Sequence, residues 1–440
     1  MKVPPLFLLV LAAWPGLTLA ETVKDREGAV RGDRAKMEGD ARWIYNDVER
    51  GFAEARRTGR PLLVVLRCVP CLSCAGIDAQ VLEEKTLAPL LDRFVCLRVI
   101  NANTLDLARF QFDYDLSFST LFFHGDGTLY GRYGSWQHQR DARDATTASF
   151  EQALQGALAL HRGYPANKAA LAGKQGGPTP FQTPVQIPML AERYPRELNW
   201  EGKVVQSCVH CHQIGDAFRT WHREKKEPLP LPLIYPQPEP QTIGLTLAAD
   251  SAAQVEAVAP GSIAARAGVL PGDVLTTLAA QPLISSADLS WALHRAADED
   301  QLPLQLQRGA RSQSLTLTLP SGWRTRSDIS RRVGTWPMRG MATGGLVLED
   351  LSDADRTQRG LDREQMALFV KGLGQFGKHA AAKNAGFQKE DIVIEFDGEK
   401  KRVTEGVLLG RLLTKRLAGE RVQATVLRAG QRQDLTLPMQ

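Results

Sequence analysis

One phrase in this chain is written twice, and it fixes the plan of the second half. Pro260-Gly261-Ser262-Ile263-Ala264-Ala265-Arg266-Ala267-Gly268-Val269-Leu270-Pro271-Gly272-Asp273-Val274-Leu275 returns in weaker form at His379–Phe387 and Glu390–Ile394. Gly268 to Gly386 and Asp273 to Asp391 are both steps of 118 residues. A period of that length is a whole domain rather than a solenoid turn. Two copies of one unit are therefore expected, at residues 241–320 and 321–440. The 440-residue length leaves room for about one further domain ahead of them.

The first copy says more. Thr242-Ile243-Gly244-Leu245-Thr246-Leu247 precedes a short strand around Val255–Val258. Together with the Pro260–Leu275 phrase, this closely resembles a bacterial PDZ domain. The resemblance implies that backbone N–H groups of Ile243, Gly244 and Leu245 receive a C-terminal carboxylate while the peptide adds as a strand. Leu289 and Leu293, one helical turn apart, would line the groove. Protein or peptide C-termini are the expected partners; a PDZ fold used only for internal packing is the other reading. In the second copy the loop reads Gly344-Gly345-Leu346-Val347, with a long insertion over Gly360–Phe376, which implies a diverged PDZ domain. Trp323 and Trp336, in the stretch between, are expected to dock the two copies. PDZ pairs also occur in exported trypsin-like proteases, but a different fold fills the chain ahead of residue 241, so proteolysis is not expected.

The N-terminus bears Lys2, an apolar run from Leu6 to Ala13 and small residues ending at Ala20. That is the pattern of a secretory signal peptide over residues 1–20, and the expected location is periplasmic or secreted. An uncleaved signal would instead anchor the chain. No later stretch reaches membrane-spanning length. The net charge of +5 is spread as alternating signs without a long basic run, so nucleic acid is not an expected partner. Residues 21–40 are charged and Gly-bearing, and read as a mobile lead-in.

From Trp43 a helical face is expected through Val48, Phe52 and Ala55, stopped by Gly59-Arg60-Pro61. Leu62–Leu66 reads as a buried strand. Then come Cys68-Val69-Pro70-Cys71-Leu72-Ser73-Cys74 and a helical stretch to Leu82. A strand over Phe94–Ile100, a helix over Thr104–Phe112, a hairpin turning at His124-Gly125-Asp126-Gly127 and a closing helix through Phe150, Leu154 and Leu158 complete the order. Over residues 41–162 this resembles the secreted thioredoxin-fold proteins, with Arg60-Pro61, Cys71-Leu72-Ser73-Cys74 and Asp78 in the same register. Cys71 would be the nucleophile, favoured as thiolate at a helix start, and Cys74 the resolving thiol. An inert structural disulfide is the bland alternative. Two positions depart from the family: Ser119 stands where thioredoxins carry a cis-proline, and Pro70 where Trp is usual. The third thiol, Cys68, would let the disulfide shift between partners or pair with something else; an iron–sulfur site is disfavoured because its fourth ligand position is Asp78. Cys96, in an apolar strand, reads as a buried small hydrophobe.

Residues 163–200 change character, rich in Gly, Pro, Gln and Lys, and residues 163–240 read as a linker carrying one chemical signal. Cys208-Val209-His210-Cys211-His212 is a C-x-x-C-H run, the attachment sequence of a c-type haem. The expected cofactor is covalent haem c, thioether-linked through Cys208 and Cys211, with His212 as proximal iron ligand. Half of a zinc site or a disulfide hairpin are the alternatives; the nearest further ligand, His222, lies too far on for a zinc pattern. Met189, His222, His161, Met338 or an empty position are all open for the sixth ligand. Pro228 through Pro240 are expected to hold the following segment extended.

The expected chain is thus multidomain: an α/β thioredoxin-like fold, a small haem c segment and two PDZ domains. That order resembles a family of bacterial exported thioredoxin-fold/PDZ proteins, some of whose members carry selenocysteine near the redox motif. The resemblance implies a thiol–disulfide oxidoreductase or electron-transfer protein that recruits partners through PDZ domains. The rival reading is a non-catalytic haem or redox sensor, or a scaffold.

Overall fold

The computed structural model describes residues 25–69, 85–116, 118–134 and 147–440. The expected signal peptide, Pro70, Cys71, Cys74 and Asp78 lie outside the described residues.

The first unit is built on a five-stranded sheet in the order β1-β3-β2-β4-β5. Its strands are β1 (Trp43–Tyr45), β2 (Leu62–Arg67), β3 (Val95–Val99), β4 (Phe118–Phe123) and β5 (Leu129–Tyr133). β1, β3 and β2 run parallel, while β4 and β5 are antiparallel. The central strand β2 is buried along its whole length, as expected for a strand covered on both faces. Its side chains alternate. Leu63 and Val65 face α3 (Thr147–Arg162), through Phe150, Leu154 and Leu158. Leu62, Val64 and Leu66 face α2 (Val48–Thr58), through Phe52 and Ala55. Asp47 caps α2 by accepting from the Arg50 N–H at 3.0 Å, and Gly59 ends it at φ +67°.

Three local expectations change here. The helix starts at Val48 rather than Trp43, because Trp43–Tyr45 add an edge strand beside β3. Residues 104–112 form turns instead of a helix; Leu105, Leu107 and Phe110 all point inward, and their spacing reflects burial rather than a helical face. The lead-in is an ordered helix, α1 (Arg26–Glu38), capped by Asp25. It buries Val30 and Met37, and its Asp33 pairs with the buried Arg98 of β3.

Residues 163–240 are not a loose tether. Ile187, Leu190, Tyr194, Val209, Ile214 and Ala217 make a core of their own with Leu107 of the first unit. Their main helix is α4 (Cys211–Glu224). The proline-rich stretch is likewise not simply extended: Leu231–Ile234 form a helical turn whose Ile234 and Tyr235 join the core of the last unit.

The third unit holds β6 (Leu245–Leu247), β7 (Val255–Val258), β8 (Val274–Leu278), β9 (Gln281–Pro282), helix α5 (Ser286–Arg295), β10 (Asp300–Arg308) and β11 (Arg311–Leu319). The fourth repeats one set of its internal bonds. In the third, Asp273 accepts two hydrogen bonds from Arg308, whose guanidinium also donates to the Gly268 carbonyl. In the fourth, Asp391, Arg428 and Gly386 do the same. The fourth unit's helices are α6 (Thr335–Thr343) and α7 (Glu405–Lys415). Its five-stranded sheet runs β12 (Leu346–Asp350), β13 (Leu368–Leu373), β14 (Ile392–Phe396), β15 (Arg421–Arg428) and β16 (Gln431–Pro438). Among the described residues, no helix is long and apolar enough to cross a membrane.

The units are keyed together. Helix α5 sits on β5: the Arg132 N–H donates to Asp288 at 3.0 Å, Asp288 pairs with the buried Lys174, and the Arg132 guanidinium lies 3.6 Å over the Trp291 ring.

Candidate functional site

The thiols converge where the first unit meets residues 198–212. Strand β2 ends at Arg67, and the next residue, Cys68, places its Sγ 2.9 Å from Nδ1 of His210. His210 is the second variable position of the C-x-x-C-H run and stands just before α4. Its ring is held by burial, with the neighbouring His212 adding to the effect, at a pKa pushed down to about 4. At neutral pH it is therefore an uncharged imidazole, able to accept the Cys68 S–H or to donate, according to its tautomer.

The segment is clamped from both sides. Asn103, fully buried in the loop after β3, accepts from the Val209 N–H at 2.8 Å. Its amide donates to the carbonyls of Pro195 at 2.7 Å and Ser207 at 2.8 Å. Glu27 of α1 caps the short helix 204–207 by accepting from the N–H groups of Val204 at 2.9 Å and Val205 at 3.2 Å. The helix expected to be a mobile lead-in is thus one wall of the site. Gln213 closes the start of α4, accepting from the His210 N–H at 2.8 Å and donating to the Tyr194 hydroxyl at 2.7 Å.

This clamping decides where the sulfurs point. Cys208 Sγ donates to the Ile100 carbonyl at 3.3 Å and packs on Val69, Ile100, Leu198 and Val204. Cys211 packs against the core cluster that contains Val64, Leu66 and Val99 of β2 and β3. Burial pushes the two thiols up, to about 11 and about 12, so neither is a ready thiolate. The cavity that Cys68, Cys208 and Cys211 share is about 20 Å³.

Haem fits poorly into this arrangement. A ligand of porphyrin size calls for a pocket of several hundred cubic ångströms. The space beside the sulfurs has room for about one water. A cavity of about 320 Å³ does exist on the Phe218/Arg219/His222 side of α4, walled also by Tyr114, Asp115 and Trp291, but neither thiol nor His212 borders it. His212 instead lies with its ring 5.8 Å from that of His210. Among the expected sixth ligands, His161 is bonded to Tyr130 and Gly59, His222 to Glu227, and Met338 is buried in the last unit. Met189 is exposed.

Cys96 behaves as expected, buried with its thiol pushed up to about 12 by burial. Ser119 stands inside β4, paired with Leu66 of β2.

The peptide loop of the third unit is more closed than its sequence implies. Gly244 takes φ +85°, and a Cβ there would meet Ser262 Cβ at 2.1 Å, so only glycine fits. Its N–H already donates to the Gln241 carbonyl at 2.9 Å. Ile243, Leu245, Leu289 and Leu293 are buried in one core with Trp323. The segment after β11 covers the end of α5. Trp323 Nε1 donates to Ala297 at 2.8 Å, Arg324 donates to the carbonyls of Leu293, His294 and Ala296, and Ser327 shares a hydroxyl contact of 3.1 Å with Thr242. Trp323 therefore belongs to the third unit, while Trp336 stacks on His379 of the fourth.

Asn103, Glu27 and His210 escaped the reading of the sequence. Only His210 carried a signal, its place within the cysteine run.

Comparison with known proteins agrees with two of the units. Residues 43–125 match the thioredoxin-like family, and residues 241–319 match the PDZ domain family. The chain therefore contains a thioredoxin-like domain and a PDZ domain. None of the curated proteins matches. Among solved structures, the chain is similar to the HtrA-type protease AlgW with a decapeptide. The identity is 18%, covering 38% of this chain and 48% of that one, at a TM-score of 0.21. It is also similar to AlgW with a tripeptide, at 16% identity, covering 38% and 52% at a TM-score of 0.22. The chain thus spans about half the length of the proteases it matches.

Proposed function

We propose that this chain is an exported thiol–disulfide redox protein that holds polypeptide substrates through its PDZ domain. Cys71 and Cys74 are its nucleophilic and resolving thiols in this reading. The observation that carries it is the contact between Cys68 Sγ and His210 Nδ1. It sets the C-x-x-C-H thiols against the strand end from which a thioredoxin-like fold presents its dithiol. The fourth unit, with its repeated Asp–Arg clamp, is read as a second, diverged PDZ domain.

Insulin-disulfide reduction by the full chain tests the reading. Turnover by the wild type and its loss in Cys71→Ser is the expected result; an inactive wild type, or full activity in Cys71→Ser, overturns it.

The C-x-x-C-H spacing itself favours a second reading, in which haem c at Cys208, Cys211 and His212 serves electron transfer or sensing. With a cavity of about 20 Å³ beside the sulfurs, covalent haem requires residues 204–212 to move away from the ends of β2 and β3. Intact mass and a pyridine haemochrome spectrum, from cells able to mature cytochromes c, separate the two: a haem-bearing mass establishes the second reading.

A further inference from the structure

We infer that Cys68 and Cys208 form a second redox pair, able to close as a disulfide between the thioredoxin-like domain and the C-x-x-C-H segment. The inference rests on the thiol–disulfide reading above and adds a site to it.

Both thiols are half-buried walls of the same cavity of about 20 Å³. The two residues meet at the neighbouring ends of β2 and β3. Cys68 extends β2, whose last parallel pair with β3 is Leu66 with Val99. Cys208 bonds the carbonyl of Ile100, the next residue along β3. Val69, beside Cys68, shares one small apolar cluster with Ile100, and Cys208 packs against it. The His210 contact brings the Cys68 sulfur onto the cysteine run at 2.9 Å. Among the described thiols, Cys211 borders the same cavity but packs on the β2/β3 core, whereas Cys208 packs on the cluster that holds Val69, the neighbour of Cys68. The wall around them is fixed by Asn103 and Glu27, so the pair is held by the fold and not by chance contact.

The chemistry needs a disulfide as co-reactant. Cys68 sulfur attacks one sulfur of a protein or small-molecule disulfide, breaking that bond, and the first substrate thiol leaves. Cys208 sulfur then attacks the Cys68 sulfur of the mixed disulfide, releasing the second substrate thiol. One S–S bond breaks and one forms. The two protons lost by Cys68 and Cys208 end on the two substrate thiols. The substrate is reduced by two electrons and the pair is oxidised.

Haem thioethers at Cys208 and Cys211 would consume the same sulfur, so the two fates exclude one another.

The experiment uses the full chain with Cys71→Ser and Cys74→Ser, oxidised by glutathione disulfide and mapped by mass spectrometry without reduction. A Cys68–Cys208 linked peptide, two hydrogens lighter than the reduced pair and absent in the further variant Cys208→Ser, is expected. Glutathione on Cys68 in that further variant captures the first step. A link confined to Cys208–Cys211, or no link with both thiols still open to alkylation, overturns the inference. Insulin reduction by the wild type with that negative result leaves the thiol–disulfide reading standing; its absence removes the reading as well.

Discussion

At the scale of single residues, the site depends on Asn103 more than on any cysteine. One buried carboxamide satisfies three backbone groups, at Pro195, Ser207 and Val209, on both sides of Cys208. Left without it, the Val209 N–H and two carbonyls lose their partners in a dry seam. Asn103→Ala is expected to cost about 3 kcal/mol in urea unfolding. It should also expose Cys208 to alkylation at a rate approaching that of an unfolded thiol. Unchanged alkylation would show that the segment is held by its apolar contacts alone. Such a residue is invisible in the sequence, because its partners are backbone groups up to 106 residues away. The cysteines were legible for the opposite reason: their spacing is itself the chemistry. What spacing could not reveal is direction. The C-x-x-C-H run reads the same whether its sulfurs face a porphyrin or, as here, the ends of β2 and β3.

At the scale of elements, the strands and hairpin of the thioredoxin-like domain follow their short, continuous apolar runs, and the 118-residue repeat appears as two copies of one clamp. Each copy's Asp holds an Arg from a distant strand, and that Arg also donates to the carbonyl of a turn glycine, Gly268 or Gly386. The Arg308 hydrogen bonds come first in holding the Asp273 carboxyl below the usual carboxylate range, outweighing its burial. Its contribution is therefore present above about pH 4 and fades as pH falls through the folded value. Asp273→Asn should lower the stability of the third unit by about 1–2 kcal/mol, the figure reduced because Arg308 is partly solvated. Asp391→Asn should do the same to the fourth. Hydrogen exchange resolved by segment checks this: each change should speed exchange in its own unit, and spread of the effect into both would show that they unfold as one. Elements whose stability comes from neighbours were not legible. Helix α1 has a charged, low-hydrophobicity sequence and is ordered by Asp33 with Arg98 and by Glu27 with Val204. The 104–112 turns failed for a related reason, since inward-facing residues in a wrapped loop can mimic a helical face.

At the scale of the whole molecule, one cation ties the second half of the chain to the first. Arg332, between the third and fourth units, is buried against Asp113 and Asp115 of the thioredoxin-like domain. Asp115 is pushed up by burial but pulled down further by Arg332 and Arg219, and stays ionised. Asp113 goes the other way: burial outweighs the pull of Arg332 and raises it to about 6. A carboxyl whose folded value exceeds its unfolded value costs stability when ionised. The cost is full above about pH 6 and disappears as pH falls below about 4. Arg332→Met removes the cation that bonds both carboxylates, and at pH 7.5 should destabilise the molecule by about 3–5 kcal/mol. Without that cation Asp113 is raised further and Asp115 loses its main downward pull, so protonation should repair part of the loss. Thermal unfolding at pH 7.5 and pH 5 is the measurement, with the deficit of Arg332→Met against wild type expected to shrink at the lower pH. An equal deficit at both would mean that the arginine acts by packing and not by charge. Asp115 also lies close enough for His212 to lower its pKa, so the joint between the domains shares its field with the end of the C-x-x-C-H run. Loosening the joint in Arg332→Met should therefore raise the alkylation rate of Cys208 along with the global instability, whereas Asp273→Asn, remote from that joint, should leave the thiol as protected as in the wild type.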